Sequence, residues 1–383
     1  MRLVPLALTV ILAGSVAACA AQPTMVPGRP SPSSAGPPST VEVSPAKDSK
    51  NLPVSTEIGT KVTNGKVQGV VLADASGQAL AGQMRDDLTS WVPDTPLKYS
   101  TAYTATVTVL GDDGQTVTAS TAFSTMGKPS KRNGVGLYLF ENKEYGVGMP
   151  VVVEFSNPVP ESARAGVQSR MFVSTSPDQP GTWHWSSAKQ VMYRAENYWQ
   201  PGTRITARIA LEGHPMGDGR YGDADLRGIG NISTTKIELI VENSTKQMTV
   251  LKNGEVIRTI PVSLGKAATP SASGTMAIMD KKLKTIFDTT GDVGIDHYIK
   301  EIEYAQRLTW SGQYIHSAPW SVQYQGKTNV SHGCTNVSPD NAKWLYDLTR
   351  IGDPVVVRGT EEKVESGDGF TAFSWTWDEW NQG

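Results

Sequence analysis

The residue types with the most chemical content lie near the C-terminal end: Tyr314-Ile315-His316-Ser317, then Ser331-His332-Gly333-Cys334-Thr335-Asn336. Cys334 is one of two cysteines in 383 residues, the other being Cys19, and two of the five histidines fall in this window. A thiol attacks as its thiolate, and an imidazole that takes the proton is the usual way to make one near neutral pH. His316 and His332 are the candidate bases. His332 stands two residues before the sulfur in a turn, whereas His316 closes a strand-like run that can set its ring opposite the thiol, so His316 is favoured. A base needs a partner on its second nitrogen. The nearest acids after it are Asp340 and Asp347, so the adjacent Ser317, by hydroxyl or backbone carbonyl, is the nearer choice. Gly333 permits a tight turn in which successive N–H groups converge on a developing oxyanion. Two blander readings compete. A lone cysteine is often an inert buried hydrophobe, and a cysteine with two histidines can hold zinc. A clean fourth ligand and a second ligand pair at metal spacing are both missing, so neither a metal nor another cofactor is expected.

Compartment favours a reactive thiol. Arg2 and the apolar run Leu3 to Val16 read as an export signal, too short for a stable membrane span. The run ends Val16-Ala17-Ala18-Cys19, which resembles a lipobox in which Cys19 is acylated and becomes the mature N-terminus; cleavage after Ala20 is the alternative. Residues 1–19 are thus expected to be a lipoprotein signal peptide, and Cys334 an unpaired cysteine in a compartment where free thiols tend to be oxidised.

His316-Ser317 followed by Ser331-His332-Gly333-Cys334-Thr335-Asn336 resembles the signature of the L,D-transpeptidase (YkuD-type) family, which cross-links bacterial peptidoglycan. The flanking His316-Ser317-Ala318-Pro319-Trp320-Ser321 and Val337-Ser338-Pro339 resemble its multi-domain, membrane-anchored branch. The resemblance implies that Cys334 is the acylated nucleophile, His316 the base and Ser317 the residue whose backbone carbonyl orients it. It places the oxyanion hole at the N–H groups of His332, Gly333 and Cys334, has Asn336 brace the turn, and puts Tyr298 and Trp320 at the substrate. It further implies peptidoglycan stem peptides as donor and acceptor, and acylation by carbapenems.

The rest of the chain must position this stretch. With 35 basic and 37 acidic residues there is no basic surplus, which argues against nucleic acid, and 37 glycines with 24 prolines suit a turn-rich β protein. Residues 20–51, rich in Pro, Ser, Ala and Gly, are expected to be an extended tether. Residues 52–127 alternate in short runs, with Tyr103, Ala105, Val107 and Val109 against Thr104, Thr106 and Thr108, and predict an immunoglobulin-like sandwich. Residues 128–234 repeat the theme with bulkier residues. Trp183, Trp185, Tyr193 and Trp199 there suit core packing better than a carbohydrate platform. Residues 235–359 form the third, β-rich domain, with a hairpin at Asn253-Gly254, a loop from Asp288 to about Ala305 that resembles the family's lid, and a helix capped by Ser338-Pro339 and ended at Gly352. Residues 360–383, with Phe370, Phe373, Trp375, Trp377 and Trp380, are expected to dock on the second sandwich rather than on a membrane.

The expected function is an L,D-transpeptidase at the outer face of the cytoplasmic membrane, held by a lipid anchor and reaching into the wall. Two rivals stay open: an L,D-carboxypeptidase that uses water as acceptor, and a non-catalytic lipoprotein that binds peptidoglycan.

Overall fold

Alternation along Ala102–Gly111 sends Tyr103, Ala105, Val107 and Val109 inward and the intervening threonines toward solvent. A strand with one apolar face needs neighbours to cover it. In the computed structural model, which describes residues 37–141, 143–290 and 299–382, that strand pairs antiparallel with Gly65–Asp74 and Thr116–Thr125. The sheet faces a second one built from Thr40–Ser44, Ile58–Thr63, Gly82–Met84 and Ser90–Pro93. The sequence-based tether to residue 51 is therefore too long. Thr40–Ser44 is already a strand, antiparallel to Ile58–Thr63, because Val41 and Val43 alternate with polar residues and pack on the first core. Cys19 lies outside the described residues.

The second sandwich packs Val135–Leu137, Val151–Phe155, Gly181–Ser187 and Gln190–Ala195 against Lys143–Tyr145, Met171–Ser176, Arg204–Ala210 and Asp225–Ile232. Trp183, Tyr193 and Trp199 are buried in its core, and Trp185 stacks on Phe155 with ring centroids 5.6 Å apart, so the aromatic cluster packs the interior. The two sandwiches meet through charge. Glu57 of the first accepts from Arg85 at 2.5 Å and from the buried Arg170 of the second, while Arg208, ion-paired to Asp225 at 2.7 Å, donates to the Pro93 carbonyl.

The third module is numbered here from its first strand: β1 (Ile237–Glu242), β2 (Gln247–Lys252), β3 (Glu255–Pro261), β4 (Ala272–Ala277), β5 (Asp280–Asp288), β6 (Ile299–Arg307), β7 (Tyr314–Ser317), β8 (Thr335–Val337), α1 (Pro339–Leu348) and β9 (Pro354–Arg358). One sheet runs β3-β2-β1-β9-β4 and is completed by Glu362–Lys363; the other runs β5-β6-β7-β8. Helix α1 packs on β6 and β7 and is capped by the Ser338 hydroxyl, which accepts from Asn341 N–H at 3.4 Å. Two expectations need correction. The loop placed at 288–305 is β6 from Ile299 onward, antiparallel to β5, because Lys300, Ile302 and Tyr304 alternate with exposed Ile299, Glu301 and Glu303. The helix ends at Leu348, not at Gly352. Gly352, at φ +91°, sits in the following turn, where a Cβ would come within 2.7 Å of Met149 in the second sandwich.

The aromatic tail lies on the second sandwich. Gln190–Ala195 is buried at all six positions, as happens when both faces of a strand are covered. Its outer cover is Trp380, 1% exposed, whose ring stacks 4.6 Å from that of His184. Arg194 reaches between the rings of Phe373, Trp377 and Trp380 and donates to the carbonyls of Glu196 and Trp375, both at 2.8 Å. Burial lowers its pKa to about 10, so it stays charged at neutral pH. Trp380→Ala removes a fully buried indole and leaves this cation short of packing. It is expected to destabilise the second sandwich by about 3–5 kcal/mol, read as a lower urea midpoint; an unmoved midpoint would mean the tail contributes no packing energy.

Candidate active site

Strands β7 and β8 run parallel, with Ile315 opposite Thr335, His316 opposite Asn336 and Ser317 opposite Val337. Side chains alternate faces along a strand, so this register sends Tyr314, His316, Cys334 and Asn336 to one side. All four line a cleft of about 540 Å³, together with Phe287 of β5, Lys300 and Ile302 of β6, Trp320, Ser331 and His332. Ile315 and Val337 point the other way, into the core beneath α1. The sheet thus divides its residues into an anchoring face and a chemical face.

His316 is 3% exposed, its ring edge-on to Phe287 at 5.4 Å and tilted 6.0 Å from Trp320. Its Nδ1 is 2.8 Å from the Ser317 carbonyl oxygen. A carbonyl only accepts, so Nδ1 carries the proton and Nε2 presents its lone pair. The orienting group is the Ser317 backbone carbonyl, the second of the two possibilities the sequence left open. Burial lowers the His316 pKa to about 4, and the Lys300 ammonium adds to the lowering against the opposing effect of the Ser317 carbonyl.

Cys334 is 9% exposed. Burial pushes its thiol up to about 12, only partly opposed by the Tyr314 backbone. The sulfur lies 3.7 Å from the Gly312 carbonyl, to which the S–H donates weakly. The resting cleft therefore holds a neutral thiol and a neutral imidazole, with the S–H donated to the Gly312 carbonyl rather than to His316. Turning that S–H toward Nε2 converts the pair into nucleophile and base.

The turn before Cys334 is clamped by two serines. The Ser331 hydroxyl donates to the Cys334 carbonyl at 2.6 Å and accepts from Gly333 N–H at 3.1 Å; the Ser271 hydroxyl donates to the Gly333 carbonyl at 2.6 Å. Gly333 has φ +117°, a conformation side chains rarely adopt. The Gly333 amide, expected in the oxyanion hole, is thus already engaged by Ser331, whose hydroxyl fits between it and the Cys334 carbonyl. His332 is engaged by a cation: its Nε2 accepts from the Lys266 ammonium at 3.2 Å. Asn336 braces the strand rather than the turn, its amide donating to Ser321 at 3.3 Å and its backbone pairing with Ser263. Trp320 stands on a 3-10 turn, Pro319–Ser321, and is 43% exposed at the cleft rim. Tyr298 lies outside the described residues. Among the described residues no cluster of His, Cys, Asp or Glu is arranged to hold a metal ion.

Several cleft residues have no site role in the sequence reading, among them Gly312, Tyr314, Phe287, Ile302 and Lys300. Tyr314 was within reach, since period two from His316 puts it on the same face. Residue types and periodicity alone do not bring β5 and β6 to the cleft, because that depends on long-range pairing; only the resemblance of the segment from Asp288 to about Ala305 to the family's lid points there.

A family model described as an L,D-transpeptidase catalytic domain matches residues 236–357, and one described as a bacterial Ig domain matches residues 49–215. L,D-transpeptidase 2 of Mycobacterium tuberculosis (strain CDC 1551 / Oshkosh) is 31% identical over 336 residues, covering 86% of this chain and 81% of that protein. L,D-transpeptidase 1 of Mycobacterium tuberculosis (strain ATCC 25618 / H37Rv) is 39% identical over 221 residues, 56% of this chain and 80% of that protein. Among solved structures, an LD transpeptidase in complex with imipenem is 35% identical with a TM-score of 0.49, covering 59% of this chain and 99% of that one. With a similarity that spans most of both chains and a catalytic-domain match that encloses His316 and Cys334, the chain belongs to the L,D-transpeptidase family.

Proposed function

We propose that this chain forms 3→3 cross-links in peptidoglycan through an acyl-enzyme on Cys334. The observation that carries this reading is the pairing of a buried thiol with a buried imidazole on one face of a cleft, the imidazole fixed in the tautomer that leaves Nε2 free to accept. Cys334 Sγ attacks the carbonyl of the third residue of a tetrapeptide donor stem as its proton passes to His316 Nε2. The C–N bond to the terminal D-alanine breaks, and His316 returns the proton to the leaving amine. The side-chain amine of an acceptor stem's diamino acid then attacks the thioester. The new amide forms, the S–C bond breaks, and the amine's proton returns through His316 to the thiol. Ser317 orients the base. The backbone N–H groups from His332 to Cys334 face the oxyanion, that of Gly333 by exchanging Ser331 for substrate. Trp320 forms the wall beside the base. A carbapenem carbonyl in the donor's place acylates the same sulfur.

Location follows from the N-terminal residues: lipidation at Cys19 holds the protein at the outer face of the cytoplasmic membrane, and the Pro/Ser-rich segment and sandwiches carry the catalytic module into the wall. Water in place of the acceptor amine would make the enzyme an L,D-carboxypeptidase. Incubation with disaccharide-tetrapeptide, resolved by chromatography and mass, should yield dimers; trimmed monomers alone would replace transfer with hydrolysis.

Incubation with a carbapenem is expected to add one drug mass to the purified ectodomain. Cys334→Ala should show no adduct, and His316→Ala should acylate about a hundredfold more slowly or worse. A folded, reduced parent that takes up no drug would remove the nucleophile assignment.

The pH profile follows from burial. An ordinary histidine titrates near 6.5, but His316 sits at about 4, so it stays able to accept a proton well below neutrality. Acylation measured by stopped flow should be level between about pH 6 and 8 and decline only toward about pH 4. A descending limb centred between about pH 6 and 7 would show that the working base is a solvated histidine instead.

A further inference from the structure

The cleft carries a cation that acyl transfer as written leaves unused. Lys300 enters β6 opposite Phe287 of β5, and its ammonium lies 3.2 Å from the centre of the Trp320 ring. That ring is itself 6.0 Å from the ring of His316. Lys300, Trp320, Phe287 and His316 therefore form one wall of the cleft. Among the described lining residues the one carboxylate is Asp288, and it is occupied by Thr290, accepting from its backbone N–H at 3.0 Å and its hydroxyl at 2.6 Å. No ion pair among the described residues joins Lys300 to an acid. An ammonium that has lost part of its water and faces a polar cleft without a counter-ion among the described residues makes a site for an anion. Desolvation alone lowers its pKa, the direction expected of a cation short of a partner.

We propose that Lys300 is a specificity-determining residue that receives the terminal carboxylate of the amino acid expelled from the donor stem. The inference rests on the acyl-transfer reading above. His316 must deliver its proton to the leaving amine, and in an α-amino acid the carboxylate is one carbon from that amine. The carboxylate therefore comes to rest on the His316 side of the cleft, on the wall that carries Lys300. The substrate class that fits is a peptide ending in a free carboxylate one residue beyond the attacked carbonyl. A stem that continues through another amide, or whose end is amidated, brings no charge to this place. Trp320 holds the ammonium over its face before substrate arrives, so little side-chain freedom is lost on binding.

The test compares a tetrapeptide stem with the same stem amidated at its terminal carboxylate, and parent with Lys300→Met and Lys300→Arg. In turnover, the parent should prefer the free acid by about tenfold or more in KM, Lys300→Met should lose that preference, and Lys300→Arg should keep most of it. A second readout is independent of turnover: with Cys334→Ala, calorimetry should show the free acid binding about tenfold tighter than the amide, and the double variant Cys334→Ala, Lys300→Met should bind both alike. Equal losses for both stems in Lys300→Met, or an undiminished preference for the acid, would reduce the lysine to packing on Trp320 and overturn the proposal. Absence of turnover by the parent, alongside a charge-dependent binding difference, would count against the transferase reading and leave the assignment of Lys300 standing.

Discussion

The parallel pairing of β7 with β8 is the constraint on which the rest of the structure depends. It sets His316 beside Asn336 and leaves Cys334 one residue before the paired segment, on the same face. Parallel neighbours cannot be joined by a tight hairpin and need a crossover of a dozen residues or more, which here is the chain from Ala318 to Cys334. That crossover has to be fixed, or the nucleophile would drift relative to the base. It is held by the 3-10 turn at Pro319, by Ser263 bonded to Thr328 and Asn336, and by the serine clamps around Gly333. On the other face Ile315 and Val337 enter a core shared with Leu345 of α1. A helix that begins two residues after the strand, on a capping serine and a proline, then locks the far side.

The same burial that fixes the geometry also decides the charges. Two charges in so enclosed a place would forfeit more hydration than their attraction returns. The pair is therefore neutral at rest, with the imidazole titrating at about 4 and the thiol at about 12. Charge appears only when a substrate carbonyl accepts the sulfur, which is when the turn's backbone dipoles become useful. A resting thiolate is open to oxidation; a neutral thiol bonded to Gly312 is far less so. The thiol and imidazole are thus arranged to develop charge rather than to store it.

Much of this was legible from the sequence, and the exceptions have identifiable causes. The strands of both sandwiches and the helix start could be read locally, because period two and the Ser338-Pro339 cap are local signals. The tether was drawn too long because a composition dominated by Pro and Ser hid the two valines that make Thr40–Ser44 a strand. Strand β6 was taken for a loop because its inward positions include Lys300 and Tyr304, which belong to no apolar pattern and make sense only once the cleft exists. At the site, Cys334, His316 and Ser317 follow from residue types and spacing, which leave open whether the Ser317 hydroxyl or its carbonyl meets the imidazole. The engagement of Gly333 by Ser331, the Gly312 acceptor and the bond between His332 and Lys266 do not, since each depends on where a polar atom finds a partner in three dimensions. Sequence identified the chemistry, and tertiary pairing assigned its partners.

The junctions between modules differ in kind. Ala277, Met279, Phe370 and Trp380 belong to the same apolar core as Val151, Val191 and Trp199, so the third module and the second sandwich share one interior. Their backbones also interlock, with Gly146 and Gly148 donating to Ile351 and Gly352, both at 2.8 Å, where no side chain would fit between them. Separating these two modules would expose apolar surface and break buried hydrogen bonds together. The first sandwich is joined instead through Glu57, Arg85, Arg170 and Arg208, whose contacts respond to salt and hydration. The catalytic module and the sandwich behind it therefore share buried apolar surface, while the first sandwich is held to the second by polar contacts.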